Sequence, residues 1–99
     1  MIIVVGQFRL PAQRLVEAQD AMARVMVATR AEAGCIQYNY AADLLDVGLI
    51  RVSEVWETRE QLTAHLKTPH MQKWVEERAG LGLSERAITV YEAGAGTPL

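Results

Sequence analysis

Apolar and polar positions alternate along the first nine residues, but both faces carry apolar side chains. Ile2, Val4, Gly6 and Phe8 share one face, and Ile3, Val5 and Gln7 the other. This pattern predicts a β-strand over Ile2–Arg9 that is covered on both sides. Pro11 ends the extended run, and from Ala12 to about Ala33 the period becomes 3.6. Leu15, Ala18, Met22, Val25 or Met26, and Thr29 fall on one stripe, while Arg14, Glu17, Asp20, Arg24 and Arg30 lie mostly off it. A long helix follows, closed by Gly34 where a left-handed residue is wanted.

Cys35–Ala41 returns to period two, with Ile36, Tyr38 and Tyr40 opposed to Cys35, Gln37 and Asn39. It predicts a second strand, joined through a turn at Asp43–Gly48 to a third over Leu49–Glu57. In that third strand Ile50, Val52, Glu54 and Trp56 share a face. Thr58 and Gln61 have capping-box spacing and open a short helix in which Leu62, His65 and Leu66 point one way. Thr68-Pro69 then starts another helix, with Met71, Trp74, Val75 and Arg78 on one side and Gly80 at its end. Glu85–Glu92 is a fourth strand, and AGAGTPL is a tail with nothing to pack against.

The order β-α-β-β-α-β, with its second crossover broken in two, predicts an α+β, ferredoxin-like split sandwich. Residues 1–93 form one domain and residues 94–99 a C-terminal tail. Helices cover one sheet face, and the apolar character of the first strand calls for a second copy over the other, hence a homodimer.

Charge and composition narrow the partners. The 99 residues are 51% hydrophobic and 22% charged, with a formal net charge of −2 and a pI near 5.6. This balance excludes nucleic acid or an anionic membrane as the main partner. A lone cysteine, Cys35, rules out an internal disulfide framework and fits a reducing, cytoplasmic setting. The opening MIIVVGQFRL lacks a basic leader and meets Arg9 too soon for a signal peptide or a membrane span. Gly94-Ala95-Gly96 precedes no helix, which removes a phosphate-loop reading.

Three elements carry a resemblance: Glu32-Ala33-Gly34-Cys35-Ile36-Gln37-Tyr38, Glu54-Val55-Trp56-Glu57 and Ala64-His65-Leu66-Lys67-Thr68-Pro69-His70-Met71. In this order and spacing the chain resembles the antibiotic biosynthesis monooxygenase (ABM) domain family, and most of all its small bacterial quinol monooxygenases. The resemblance implies a dimeric α+β barrel with a cavity between sheet and helices. It also implies oxygenation of a small hydroxylated aromatic or quinol by dioxygen, with no flavin, metal or other cofactor. Trp56 stands where members acting on polyketide hydroquinones carry a functional tryptophan. Their asparagine four residues earlier and tyrosine six later are replaced here by Val52 and Leu62. The residues of haem-degrading relatives do not match.

Among the candidate residues, His65 shares the inward face of Leu62. It is either a base for a phenolic proton or a cap on a backbone carbonyl at the bend. His70, in the first turn of the last helix, is a surface residue or a substrate contact. A metal site from the two histidines is not expected, because a spacing of five across a proline bend does not put both on one helix face. Trp56, Tyr38, Asn39 and Leu62 are the further substrate-positioning candidates, each against ordinary packing. Glu54, if buried beside Trp56, needs a donor. Cys35 reads as a small buried hydrophobe. A binding module without catalysis is the competing reading.

Overall fold

A computed structural model describes all 99 residues. The elements are β1 (Ile2–Arg9), α1 (Leu15–Arg30), β2 (Cys35–Ala42), β3 (Leu49–Trp56), α2 (Arg59–His65), α3 (Pro69–Ala79) and β4 (Ser84–Glu92). The strands form one antiparallel sheet in the order β2-β3-β1-β4. This is the predicted ferredoxin-like α+β arrangement, with the three helices on one sheet face.

Local chemistry accounts for the boundaries. Pro11 opens a single 3-10 turn over Ala12–Arg14 before α1 begins, and α1 ends at Arg30 rather than near Ala33. Residues 31–34 form a turn that closes at Gly34 with φ +81°. Thr58 and Gln61 form the expected reciprocal capping box on α2. Thr68 Oγ1 accepts from the Met71 N–H, with Pro69 at the first position of α3, so two capped helix starts fix the bend between α2 and α3.

The stripe Ala18, Ala21, Met22, Val25 and Thr29 buries α1 against the sheet. Trp56 and Trp74 are wholly enclosed, and Phe8 packs on Trp74 and Tyr40. Four expected core positions are corrected. Ile36 is half exposed because β2 shifts register against β3 between Cys35 and Gln37. This bulge breaks the simple alternation before Tyr38. Leu66 lies just past the end of α2 and is 56% exposed, and Val75 turns outward from α3. Cys35, expected in the core, is half-buried.

The face of the sheet away from the helices carries Ile3, Val5, Val55 and Tyr91 alongside Gln7, Asn39, Arg51 and Ser53. Val5 and Tyr91 are exposed. The tail beyond Ala93 is exposed throughout. No helix is long and apolar enough to cross a membrane.

β4 leaves no room for a side chain at Gly6 of β1. A Cβ there would overlap the carbonyl oxygen of Ala87 and the Cα of Ile88, both of them backbone atoms of the paired strand. Gly6→Ala is expected to cost about 2 to 3 kcal/mol through overpacking, whereas Gly94→Ala, with open space around it, should be neutral. Urea unfolding of the two variants checks the contrast.

Candidate functional site

The site is built where the end of α2, the start of α3 and the turn after α1 meet the helix-facing side of the sheet. His65, the last residue of α2, is buried, with 1% of its surface exposed. Its ring lies 4.9 Å from the Trp56 ring and 5.2 Å from the Tyr38 ring. Nδ1 of His65 is 2.7 Å from Glu32 Oε2. The same oxygen lies 2.8 Å from Nε2 of His70.

A carboxylate only accepts, so each imidazole donates to it, and the tautomer of His65 is thereby set with its proton on Nδ1. Its Nε2 makes no hydrogen bond within the chain. The His65 carbonyl at the end of α2 accepts twice from Thr68, from its Oγ1 at 2.8 Å and its backbone N–H at 3.1 Å. As expected, the two histidines share no helix face. His65 and His70 stand on different helices, yet the bend brings both rings to one carboxylate.

His65 lines a cavity of about 150 Å³ between α2, α3 and the sheet. Val4, Phe8, Leu62, Met71, Ile88 and Val90 form its apolar wall, with the half-exposed Leu66 at the rim. Tyr40, Glu54, Arg78 and Arg86 supply the polar groups. This volume matches the size of an engineered apolar cavity that accepts benzene. A cavity of about 200 Å³ lies under α1 between Leu15, Met22, Met26, Tyr40 and Ile50. It is larger, but Tyr40 is its sole titratable group, so the cavity beside His65 is the candidate site.

Burial shapes the electrostatics of this cavity. It raises the Glu54 carboxyl above the ordinary glutamate range, although the Trp56 N–H, His65 and Arg86 favour the anion; Glu32 adds to the rise. The Trp56 indole N–H donates to Glu54 Oε1 at 3.0 Å. The Tyr38 and Tyr40 hydroxyls are 2.7 Å apart, and burial raises both phenols. Burial lowers the Arg78 guanidinium, and the charge of Arg86 lowers it further. Neither arginine is in a salt bridge.

The structure sorts the candidates read from the sequence. His65 and Leu62 line the cavity. Trp56 and Tyr38 do not; they form the floor and side against which His65 rests. His70 reaches Glu32 rather than the cavity. Asn39 is corrected in place: it lies on the other sheet face, where it accepts from Arg30 at 2.8 Å and donates to Ser53 Oγ at 3.3 Å. Glu32, Arg78 and Arg86 had no assigned role. Glu32 stood within a quoted motif, but its partners lie 33 and 38 residues away.

Residues 1–77 match the sequence profile of the family described as antibiotic biosynthesis monooxygenase. The chain belongs to the ABM family. A protein of Deinococcus radiodurans provisionally described as an antibiotic biosynthesis monooxygenase superposes with a TM-score of 0.93 at 26% identity, over 100% of this chain and 98% of that one. A protein of Nitrosomonas europaea described in the same way gives 0.86 at 18% identity, over 94% and 98%, and shares the fold alone. An uncharacterised protein of Synechocystis is 26% identical over 91 residues. This ABM chain spans 62% of that relative's length, and the aligned part is 92% of its own.

The Glu54 carboxyl generates a pH prediction. A glutamate whose pKa is raised by folding penalises the fold once it ionises. The penalty is absent below about pH 4, where both states are protonated, and complete above the folded pKa. Glu54→Gln keeps an acceptor for Trp56 and removes the charge. The stability of the variant relative to the parent chain is expected to rise between pH 4 and pH 8, as read by thermal unfolding. A difference that stays constant with pH would refute the buried-carboxyl account.

Proposed function

We propose that the chain is a cofactor-independent monooxygenase that oxidises a small hydroxylated aromatic or quinol with dioxygen. The observation that carries this reading is His65: one ring nitrogen is tied to Glu32, the other makes no hydrogen bond in the chain, and the residue lines a largely apolar cavity of one-ring size. A base so oriented takes the phenolic proton. The phenolate then supplies electrons to dioxygen, a C–O bond forms at a ring carbon bearing hydrogen, and the O–O bond breaks. One oxygen atom stays in the product as a carbonyl, and the other leaves as water. The substrate supplies all four electrons, and the protein contributes the base, the dry wall and the orientation.

Family membership supports a monooxygenase role, and the shape of the cavity and the chemistry of its lining support a small aromatic substrate. Oxygen uptake with a panel of mono- and bicyclic quinols is expected to exceed autoxidation. His65→Ala should remove at least about 100-fold of the enhancement, the low end of what a positioned base supplies. Val52 and Leu62, standing where polyketide-oxidising members carry polar groups, favour a second reading as a binding module. Saturable quinol binding with the ligand recovered unchanged would establish it.

We further propose a homodimer formed through the open sheet face. Ile3, Val5, Val55 and Tyr91 make an apolar strip there that a two-fold partner would cover, at a gain of about 25 cal/mol per Å² of apolar area removed from water. Sedimentation equilibrium at micromolar concentration is expected to give a mass near twice 11.0 kDa. Val5→Glu should shift the chain toward the monomer.

A further inference from the structure

We propose that Glu32, His65 and His70 form a binding site for one divalent transition-metal ion of the zinc class per chain. The three come from different elements: Glu32 from the turn after α1, His65 from the end of α2 and His70 from the first turn of α3. One carboxylate oxygen and two imidazole nitrogens lie within 4.8 Å of one another. Zinc bonds of about 2.0 to 2.2 Å put neighbouring tetrahedral ligands about 3.3 Å apart. To meet that geometry the separations of 2.7 and 2.8 Å between Glu32 Oε2 and the two nitrogens need to open by about half an ångström, and the two nitrogens, within 4.8 Å of each other, need to close by at most about 1.5 Å.

Both imidazoles reach Oε2, while Oε1 of Glu32 has no partner in the chain. The contacts are ordinary hydrogen bonds to one oxygen, and they gather three ligand atoms from three elements into one cluster with a carboxylate oxygen to spare. Two imidazoles and a carboxylate are a donor set for zinc, whereas magnesium and calcium require more oxygen ligands. His65 is immobilised against Trp56 and Tyr38. The Glu32 and His70 side chains keep 14% and 26% of their surface exposed, which leaves an approach for the ion and a place for a water as fourth ligand.

A neutral imidazole that ligates through one nitrogen carries its proton on the other. Zinc on Nδ1 of His65 therefore turns Nε2 from an acceptor into a donor toward the cavity. Resting on the reading of His65 as base, this makes zinc an inhibitor of turnover, reversed by a chelator. The binding measurement below does not depend on activity.

The test is calorimetric titration of the untagged, metal-free chain with Zn²⁺, and with Co²⁺ as a spectroscopic probe. One ion per chain is expected, with the intense visible absorption of four-coordinate cobalt. His70→Ala and Glu32→Gln, both at partly exposed positions, should weaken binding by more than about 100-fold, beyond the loss of an outer-shell partner. Cys35→Ser should leave binding unchanged. The site is overturned if no saturable binding occurs below about 1 mM Zn²⁺. It is also overturned if affinity survives in both folded variants, or is lost in Cys35→Ser.

Discussion

The contact between His65 and the wholly buried indole of Trp56 joins the sheet to the helical layer, and the site depends on it. Trp56 ends β3 opposite Ile2 and Cys35, and its N–H is anchored by Glu54. The indole therefore cannot tilt without disturbing the sheet. His65 rests on this platform and is steered from the other side by Glu32. The result is a line of four side chains, Glu54, Trp56, His65 and Glu32, in which each member limits the next. A buried imidazole without such support would carry an unsatisfied nitrogen at a cost of about 1 to 3 kcal/mol. Here one nitrogen is bonded to Glu32, in a side chain that lines the cavity.

Charge is distributed unevenly around that cavity. Arg78 and Arg86 stand on the α3 and β4 side without carboxylate partners, opposite a Glu54 whose burial disfavours its anion. The balance favours negative charge in the space between, such as the phenolate that loss of a proton to His65 would create. The Tyr38 and Tyr40 hydroxyls, close together and held neutral by burial, remain hydrogen-bonding groups rather than bases.

Most of the fold was legible in the sequence because its signals are local. The 3.6 period of α1, the Thr58 and Gln61 box, the Thr68-Pro69 start and the alternation of β3 each involve residues a few positions apart. Errors arose where a local rule met a bulge or a chain reversal. Ile36 left the core because β2 shifts register, and Leu66 because α2 ends one residue before it. The site was less legible for the same reason. Its central bond links Glu32 to two histidines more than thirty residues away, and no periodicity reports such a contact. Asn39 shows that alternation was informative: it opposes Tyr38 in the strand, and that parity alone puts it on the far face.

The departures from the polyketide-oxidising members acquire a physical meaning in this frame. Val52 is buried beneath the sheet face, and Leu62 is part of the cavity wall. The two positions that carry polar groups in those members thus contribute only apolar surface here. A wall of that kind holds a ring by burial, without fixing many of its oxygens. Orientation then has to come from the few polar groups left around the cavity, His65, Tyr40, Glu54 and the two arginines. On the proposed reading, a small ring bearing one or two oxygens would satisfy such a site, whereas a fused polyketide would exceed its volume and find too few donors. Within a shared fold, the replacement of two polar side chains by valine and leucine would then shift the chemistry from an extended ligand toward a compact one.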